Sequence, residues 1–160
     1  MKKSLNTVFA STALIIFTAC SSLQVTEESV SNQAVAGVMV SSKSQATQAV
    51  LANAVIYFEY DKFTLTSKSI QALKGVVTLM RKNPKIMLSL EGHADERGTR
   101  EYNLALGERR ANSAKDYLMT YGISGKRISV ISYGKEKPVN SASTPLAWSQ
   151  NRRSVTIKAK

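Results

Sequence analysis

The chain has 160 residues, 43% of them hydrophobic and 21% charged, and its formal net charge is +11. This length suits one compact domain with a short appendage, and the hydrophobic content argues against wholesale disorder. A basic protein attracts anions, which include nucleic acid, phospholipid headgroups and acidic polymers, and charge alone does not choose among them. Cys20 is the only cysteine and His93 the only histidine. An internal disulfide is therefore excluded, and a structural zinc site is disfavoured because it needs four clustered ligands.

Residues 1–19 have the pattern of a secretory signal peptide. A positive start, Lys2-Lys3, is followed by an apolar stretch at 8–17. This stretch is too short to span a bilayer, which needs roughly 20 apolar residues. The segment ends in Phe17-Thr18-Ala19-Cys20, and small residues before a cysteine at the end of an export signal resemble the bacterial lipobox. We therefore predict that Cys20 becomes an acylated N-terminal residue; the alternative is ordinary cleavage, which would leave a free thiol or none.

Residues 20–52 are predicted to form the lipidated cysteine and a flexible linker. After Cys20, the residue types Ser, Thr, Gln, Ala and Val dominate and no aromatic residue occurs. Roughly 30 residues of linker reach about 100 Å when fully extended, which suits a domain held at one surface while it binds another. The alternative is that 35–40 packs as a short strand. By analogy with lipoprotein sorting, Ser21 rather than an aspartate after the cysteine indicates the outer membrane.

Residues 53–160 alternate between strand and helix patterns. Strands are predicted at 54–60, 86–92, 128–133 and 153–159, and helices from 66 or 67 to 82, at 102–121 and at 144–150. In the first helix Leu73, Val77 and Met80 recur at helical spacing, and Asn83-Pro84 ends it. The β-α-β-α-β-β order of the main elements predicts an α/β sandwich with a mixed four-stranded sheet and helices on one face.

The sequence lacks the patterns of common catalytic sites. The glycines at 92, 98 and 107 do not have the spacing of a phosphate loop. A Ser-His-Asp triad would need His93 and Asp95, which lie two residues apart in one segment. Since Cys20 precedes the domain, no thiol nucleophile remains in it. We therefore predict no enzymatic activity, no cofactor and no metal site, and we interpret His93 as a structural residue that forms hydrogen bonds.

A dense polar block follows the second predicted strand, over residues 91–103 and 106–112. Its acids and bases would surround a loop that meets a helix. There a carboxylate could accept from an ammonium, and a guanidinium could pair with a carboxylate. Such a site suits a zwitterion. By pattern alone, the simpler interpretation is a solvated loop and an exposed helix face.

This block, together with 57–61 before it and 132–138 and 151–153 after it, resembles the OmpA-like peptidoglycan-binding domain family. The resemblance covers about residues 53–158. The runs Gly-His-Ala-Asp-Glu-Arg-Gly-Thr and Leu-Gly-Glu-Arg-Arg-Ala-Asn occur in the order that is typical of the family. The signal and the linker make the chain similar to the lipoprotein members of the family. The resemblance implies the OmpA-like fold and a binding function without catalysis.

The resemblance also implies a site for the meso-diaminopimelate of the peptidoglycan stem peptide. The loop aspartate of the family corresponds to Asp95, which would pair with an ammonium, and the helix arginine corresponds to Arg110, which would pair with a carboxylate. By the same resemblance Asp61 lies at the pocket. Further lining residues would be Thr99, Asn103 and Leu106.

Together these features predict a non-catalytic outer-membrane lipoprotein whose domain faces the periplasm and binds peptidoglycan. The resemblance further implies TolB and other Tol proteins as partners, with a part in envelope integrity and cell division. Two alternatives stay open: an exported basic module that binds anionic lipid, wall polymer or nucleic acid, and a wall hydrolase. Export and the acidic loop argue against nucleic acid. A hydrolase would need a nucleophile, paired acids or a metal site.

Overall fold

A computed structural model of the chain describes residues 44–52 and 54–159. The predicted signal peptide, Cys20 and most of the predicted linker lie outside these residues. The elements in chain order are helix α1 (44–52), strand β1 (Val55–Tyr57), helix α2 (Ser67–Lys82), strand β2 (Leu88–His93), helix α3 (Arg100–Thr120), a short 3-10 helix (Gly125–Arg127), strand β3 (Ile128–Gly134), helix α4 (Pro145–Asn151) and strand β4 (Arg153–Lys158). None of the helices within 44–52 and 54–159 is long and apolar enough to span a bilayer.

The four strands form one mixed sheet with the order β1-β4-β2-β3. β2 runs parallel to β3, and β4 runs antiparallel to both β1 and β2. The predicted mixed four-stranded sheet is therefore confirmed. β1 is shorter than predicted, because only Val55–Tyr57 pairs with β4. The chain then turns at Asp61, whose φ of 57° lies in the left-handed region.

α2 and α3 bury their apolar sides against the sheet. The hydroxyl of Thr66 accepts a hydrogen bond from the N–H of Ser69 at 3.2 Å and so caps the start of α2. Asn83 ends the helix, before a proline that disfavours its continuation. The core cluster includes Leu73, Val77 and Met80 of α2, Ala111 and Leu118 of α3, and Leu88 and Leu90 of β2. The helical spacing of apolar residues in the sequence thus identified the buried face of α2 correctly.

Residues 44–52 form helix α1, where the sequence analysis predicted flexible linker. Leu51 is 5% exposed and belongs to the core cluster, and Val50 packs against the same cluster. This packing stabilises the helix, because a helix of this length is marginal without tertiary contacts. The folded part of the chain therefore begins before residue 53. The alternative strand at 35–40 lies outside the described residues.

α3 lies directly on the sheet where Gly107 faces Gly92 of β2. A Cβ atom at Gly92 would stand 1.8 Å from the carbonyl oxygen of Gly107, and one at Gly107 would stand 2.4 Å from the hydroxyl oxygen of Ser132. Real Cβ atoms do not approach other atoms so closely, so both positions require glycine. This contact fixes the height of α3 above the sheet, and hence the place of Arg110 in the following turn.

We expect Gly107→Ala to lower the free energy of unfolding by at least about 2 kcal/mol, because the added methyl group forces α3 away from β2. The matched control is Gly75→Ala in α2, where the nearest atom to the added methyl group, Val50 Cγ1, is 3.8 Å away. Since alanine is the better helix former, the control should gain about 0.5–1 kcal/mol. Urea unfolding measures both variants, and equal effects would contradict the close contact.

His93, the last residue of β2, is 3% exposed, and neither of its ring nitrogens has a partner at hydrogen-bonding geometry among the described residues. The hydrogen bonds expected of His93 therefore stay a prediction. Its ring packs against Tyr133, with 5.6 Å between ring centroids. Burial is the main cause that lowers the pKa of His93 from 6.5 to about 4; the charge of Arg153 adds to it, and the backbone of Lys137 opposes it in part. The ring is neutral at pH 7.

Because the folded-state pKa of His93 lies below that of the unfolded chain, the unfolded chain takes up the proton first as the pH falls. We expect the free energy of unfolding to decrease between pH 6.5 and about pH 4, by up to about 3 kcal/mol. His93→Leu, with an apolar side chain of similar size, should lack this part of the decrease and match the native stability above pH 7. Thermal unfolding across this range provides the test, and identical pH profiles would rule out a buried neutral histidine.

Candidate functional site

A cavity of about 140 Å³ opens between the loop after β1, the loop after β2 and the first half of α3. The parallel register of β2 and β3 ends there, and α3 begins at the cavity mouth. The lining residues are Tyr60, Asp61, Asp95, Arg97, Gly98, Tyr102, Asn103, Leu106 and Arg110. Two acids and two arginines share this small space, which favours a ligand that carries both signs of charge.

Asp95 is 4% exposed, and both of its carboxylate oxygens accept hydrogen bonds. Oδ1 accepts from the backbone N–H of Arg97 at 3.1 Å and from its Nε at 3.2 Å, and Oδ2 accepts from its Nη2 at 2.7 Å. Arg152 Nη1 donates to Oδ2 at 3.4 Å. Burial alone would raise the pKa of Asp95, but the bonds and the charge of Arg97, with Arg152, outweigh it and lower the pKa from 3.8. The carboxylate is therefore ionised at neutral pH.

Arg97 is stacked between two aromatic rings. Its Cζ lies 4.1 Å from the ring centroid of Tyr60 and 4.3 Å from that of Trp148, distances that are typical of cation–π contacts. Trp148 is held in turn by Glu96, whose carboxylate accepts from the indole Nε1 at 2.7 Å and from the hydroxyl of Ser143 at 3.0 Å. The loop after β2 is thus joined to α4, and the aromatic pair keeps Arg97 over Asp95.

Arg110 lies beneath the cavity and is 0% exposed. Its guanidinium donates to three backbone carbonyls, those of His93 at 2.8 Å, Lys62 at 2.9 Å and Glu59 at 3.2 Å. Burial is the main cause that lowers the pKa of Arg110 to about 10, and the charge of Arg152 adds to it. The group is still charged at pH 7. A guanidinium has five N–H groups, so each terminal nitrogen keeps one N–H beyond these three bonds.

The remaining predicted site residues lie at or near the mouth of the cavity. Asp61 accepts a hydrogen bond from the hydroxyl of Tyr102, which joins the loop after β1 to α3. Asn103 is 2% exposed, and its Nδ2 donates to the carbonyl of Arg97 at 2.9 Å. Thr99 caps the start of α3, where its hydroxyl accepts from the N–H of Tyr102 at 3.2 Å. Each of these bonds fixes a loop against the first turn of α3.

Five of the six site residues expected from the resemblance line one cavity, and Thr99 is the exception. The sequence analysis did not include Tyr60, Arg97, Gly98 and Tyr102 among the lining residues. Arg97 stands in the polar block, but a linear pattern does not distinguish the arginine that binds Asp95 from its charged neighbours. Within 44–52 and 54–159, no group of three or more His, Cys, Asp or Glu side chains is arranged to hold a metal ion.

The sequence of this chain was compared with those of known protein families and curated proteins. Residues 57–152 match the OmpA family. A curated relative from Rhizobium meliloti (strain 1021), named peptidoglycan-associated lipoprotein, is 48% identical over 102 residues, which are 64% of this chain and 58% of the relative. A relative of the same name from Pseudomonas aeruginosa is 46% identical over 105 residues, 66% of this chain and 62% of the relative. The chain therefore matches less than two thirds of the length of these relatives.

Solved structures show the same fold. The crystal structure of the peptidoglycan-associated lipoprotein from Burkholderia pseudomallei is 33% identical with a TM-score of 0.67, and the match covers 69% of this chain and 93% of that chain. The C-terminal domain of Helicobacter pylori MotB has a TM-score of 0.61 at 18% identity, over 66% of this chain and 84% of that one, which is a likeness of fold alone. These matches confirm the resemblance found in the sequence and the OmpA-like α/β fold. Because residues 57–152, more than half of the chain, match the family model, the chain belongs to the OmpA family, and the matching region contains every residue that lines the cavity.

Proposed function

We propose that the chain is a non-catalytic lipoprotein of the cell envelope that binds peptidoglycan through the cavity at Asp95 and Arg110. The observation that carries the proposal is the meeting of a buried carboxylate and a buried guanidinium at one cavity. The names of the relatives support it. The proposed ligand is the diaminopimelate of the stem peptide, because its side chain carries an ammonium and a carboxylate on one carbon, and the cavity complements both charges.

Asp95 is proposed to bind the ammonium in place of Arg97. The four hydrogen bonds at its carboxylate already fill the lone-pair sites of the two oxygens; two of them come from the side chain of Arg97, one from its backbone N–H and one from Arg152. The side chain of Arg97 is 35% exposed and that of Arg152 only 13%, so Arg97 is the partner that can leave. This exchange replaces one cation by another and therefore never leaves a buried charge unpaired.

Arg110 is proposed to bind the ligand carboxylate through the N–H groups that its three backbone bonds leave over. The guanidinium is already held in place by those bonds, so little side-chain entropy is lost when the ligand binds. Its substitution is unsuited as a first test of binding. Removing it would take a hydrogen bond from three carbonyls, of which only that of Glu59 has the N–H of Lys62 as a further donor, and the loss of stability would mask any effect on the ligand.

The electrostatics of the cavity favour binding rather than catalysis. A carboxyl group that acts as a general acid near neutral pH needs a raised pKa, whereas Arg97 and Arg152 lower the pKa of Asp95. Its proton is lost well below neutral pH, and its oxygens are occupied by guanidinium donors. The wall hydrolase considered from the sequence therefore receives no support from this site.

We further propose that Cys20 is acylated and holds the chain at the outer membrane, with the domain in the periplasm. The lipobox-like end of the signal and the lipoprotein relatives support this anchor. By the family resemblance, TolB and other Tol proteins are proposed partners, with a role in envelope integrity and cell division. The cavity rim carries two exposed aromatic rings, a residue type that is enriched in protein interfaces: Tyr60 and Tyr102 are 59% and 44% exposed.

We expect Asp95→Asn to weaken co-sedimentation with purified peptidoglycan at least about tenfold, because the variant lacks the charge that pairs with the ammonium. The assay uses the unacylated chain from residue 21 onward. The matched control is Asp116→Asn, which removes an exposed acid of α3 that does not line the cavity and should bind like the native chain. Circular dichroism verifies that both variants fold. The proposed site is wrong if all three proteins pellet equally.

Trp148 offers a direct probe of the proposed exchange, because it is the only tryptophan in the chain and stacks on Arg97. We expect a soluble stem peptide with diaminopimelate to change its fluorescence saturably, and the change to vanish in Asp95→Asn. A peptide with lysine in that position lacks the second carboxylate, and its affinity should be at least about tenfold lower. Binding without any change in emission would show that Arg97 stays in place.

A further inference from the structure

The end of the domain opposite the cavity carries a cluster of cations, here called the basic pole. It consists of the exposed residues Arg81, Lys82, Lys85, Lys126 and Lys158. Lys158 pairs with Leu88 at the start of β2. The guanidinium of Arg127, next to Lys126, donates to the carbonyls of Asn83 and Ile86, which flank Lys85. The cations are therefore close in space although they come from three separate segments, 81–85, 126 and 158.

The charge of the basic pole is not balanced within the described residues. The three ion pairs of 44–52 and 54–159 join Arg97, Arg100 and Arg152 to carboxylates near the cavity, and none includes a cation of the pole. Capping of helix ends explains only part of the cluster, since Arg81 donates to the carbonyl of Tyr121 after the end of α3. Lys85, Lys126 and Lys158 lie outside the α-helices or at the end of a strand, where a helix dipole does not account for them.

Exposed apolar side chains stand among these cations. Met87, Met119 and Tyr121 are 52%, 46% and 38% exposed. Met87 is in contact with the end of β4, because its carbonyl accepts from the N–H of Ala159 at 2.9 Å. Met119 borders Gly125, the residue before Lys126. Lysines interleaved with apolar and aromatic side chains are typical of surfaces that rest on a bilayer, where the apolar groups enter the headgroup region and the ammonium groups meet phosphates.

The chain enters the domain at the same pole. Ala46 and Thr47 of α1 line a groove together with Leu79, Lys82 and Asn83 at the end of α2. The preceding sequence, which carries Cys20, is therefore joined to the domain beside the basic pole. The six residues of β2 separate the pole from the cavity by roughly 17–20 Å.

We propose that the basic pole binds the surface of a membrane that contains anionic phospholipid, with the cavity facing away from that membrane. The orientation rests on the proposed lipid anchor, whereas the attraction to lipid rests on the charges and apolar side chains alone. A bilayer fits the pole better than a linear acidic polymer, because a polymer would not use the exposed methionines. Each lysine near such a surface contributes roughly fivefold to the partition coefficient at physiological salt.

The test measures co-sedimentation of unacylated residues 21–160 with vesicles. In the Burkholderia pseudomallei relative, the matching region makes up 93% of the solved chain, so we expect the unacylated domain of this chain to fold by itself. Vesicles of phosphatidylcholine alone are compared with vesicles in which roughly a third of the lipid is phosphatidylglycerol. We expect binding to the anionic vesicles only, and a decrease as salt is raised. Absence of binding to the anionic vesicles would overturn the proposal.

Two triple variants with equal loss of charge locate the surface. The pole variant combines Lys85→Gln, Lys126→Gln and Lys158→Gln, and should lower the partition coefficient at least about tenfold. The control variant combines Lys62→Gln, Lys68→Gln and Arg109→Gln, all exposed and near the other end of the domain, and should lower it less than about threefold. Equal losses in both would mean that net charge, not the pole, attracts the lipid, and would overturn the proposal.

Sedimentation with purified peptidoglycan separates this proposal from the proposed function. The pole variant should pellet with the wall like the native chain. Asp95→Asn should no longer bind the wall but should still bind the anionic vesicles. If the pole variant no longer bound the wall but still bound the vesicles, the pole would be a surface for wall polymer, and the proposal of membrane binding would be overturned. If no protein pellets with the wall, the proposed function fails while the vesicle result stands by itself.

Discussion

A buried guanidinium holds together the segments on which the cavity depends. Arg110 extends from α3 and donates to the carbonyls of Glu59 and Lys62 after β1 and of His93 at the end of β2. Without this donor the carbonyls of Lys62 and His93 would each lose a hydrogen bond, while that of Glu59 would keep the N–H of Lys62 at 3.2 Å. The planar group satisfies all three in one fixed geometry. The floor of the cavity is therefore rigid, and rigidity at the floor is what allows two loops to present charges at its rim.

More positive than negative groups surround this floor, and the excess of positive charge favours the binding of a ligand. Arg97, Arg110 and Arg152 approach the single buried carboxylate of Asp95, and the charge of Arg152 contributes to the lowered pKa of Arg110. A ligand carboxylate near Arg110 would relieve this repulsion. A ligand ammonium at Asp95 would release Arg97 to the surface, where its charge is solvated. A zwitterion thus supplies a partner of opposite charge to both Asp95 and Arg110, whereas a simple anion or cation supplies one to only one of them.

The sequence predicted what depends on local pattern and missed what depends on distant partners. Apolar spacing identified α2 and the burial of Leu73, because a helix face is defined by residues three and four apart. The partners of Arg110 lie 17, 48 and 51 residues away, and no periodicity encodes which carbonyls a guanidinium will meet. Nor does the sequence around Arg127 indicate that its guanidinium donates to the carbonyls of Met80, Asn83 and Ile86.

The candidate site shows the same division. Periodicity alone left the polar block as a solvated loop, and only the family resemblance pointed to Asp95 and Arg110. The resemblance did not reveal that the carboxylate of Asp95 is paired with Arg97, since that pairing depends on Tyr60 and Trp148, which come from other segments. The contact of Gly92 with Gly107 is equally hidden, because a glycine that is needed for close approach looks the same in sequence as one that shapes a turn.

The opposite placement of the cavity and the basic pole decides how the two proposed contacts act together. A domain that rests on the membrane through the pole keeps its cavity directed at the wall, so both contacts form at once when the gap is close to the domain's own length. When the gap widens, the surface charges of the pole release first, because salt screens exposed pairs more than a buried one. With the proposed anchor at Cys20, the 24 residues from there to residue 44 set an upper limit of roughly 80 Å on their span. Under the two proposals, the length of the chain before residue 44 limits the separation of membrane and wall, and the pole sets that separation at rest.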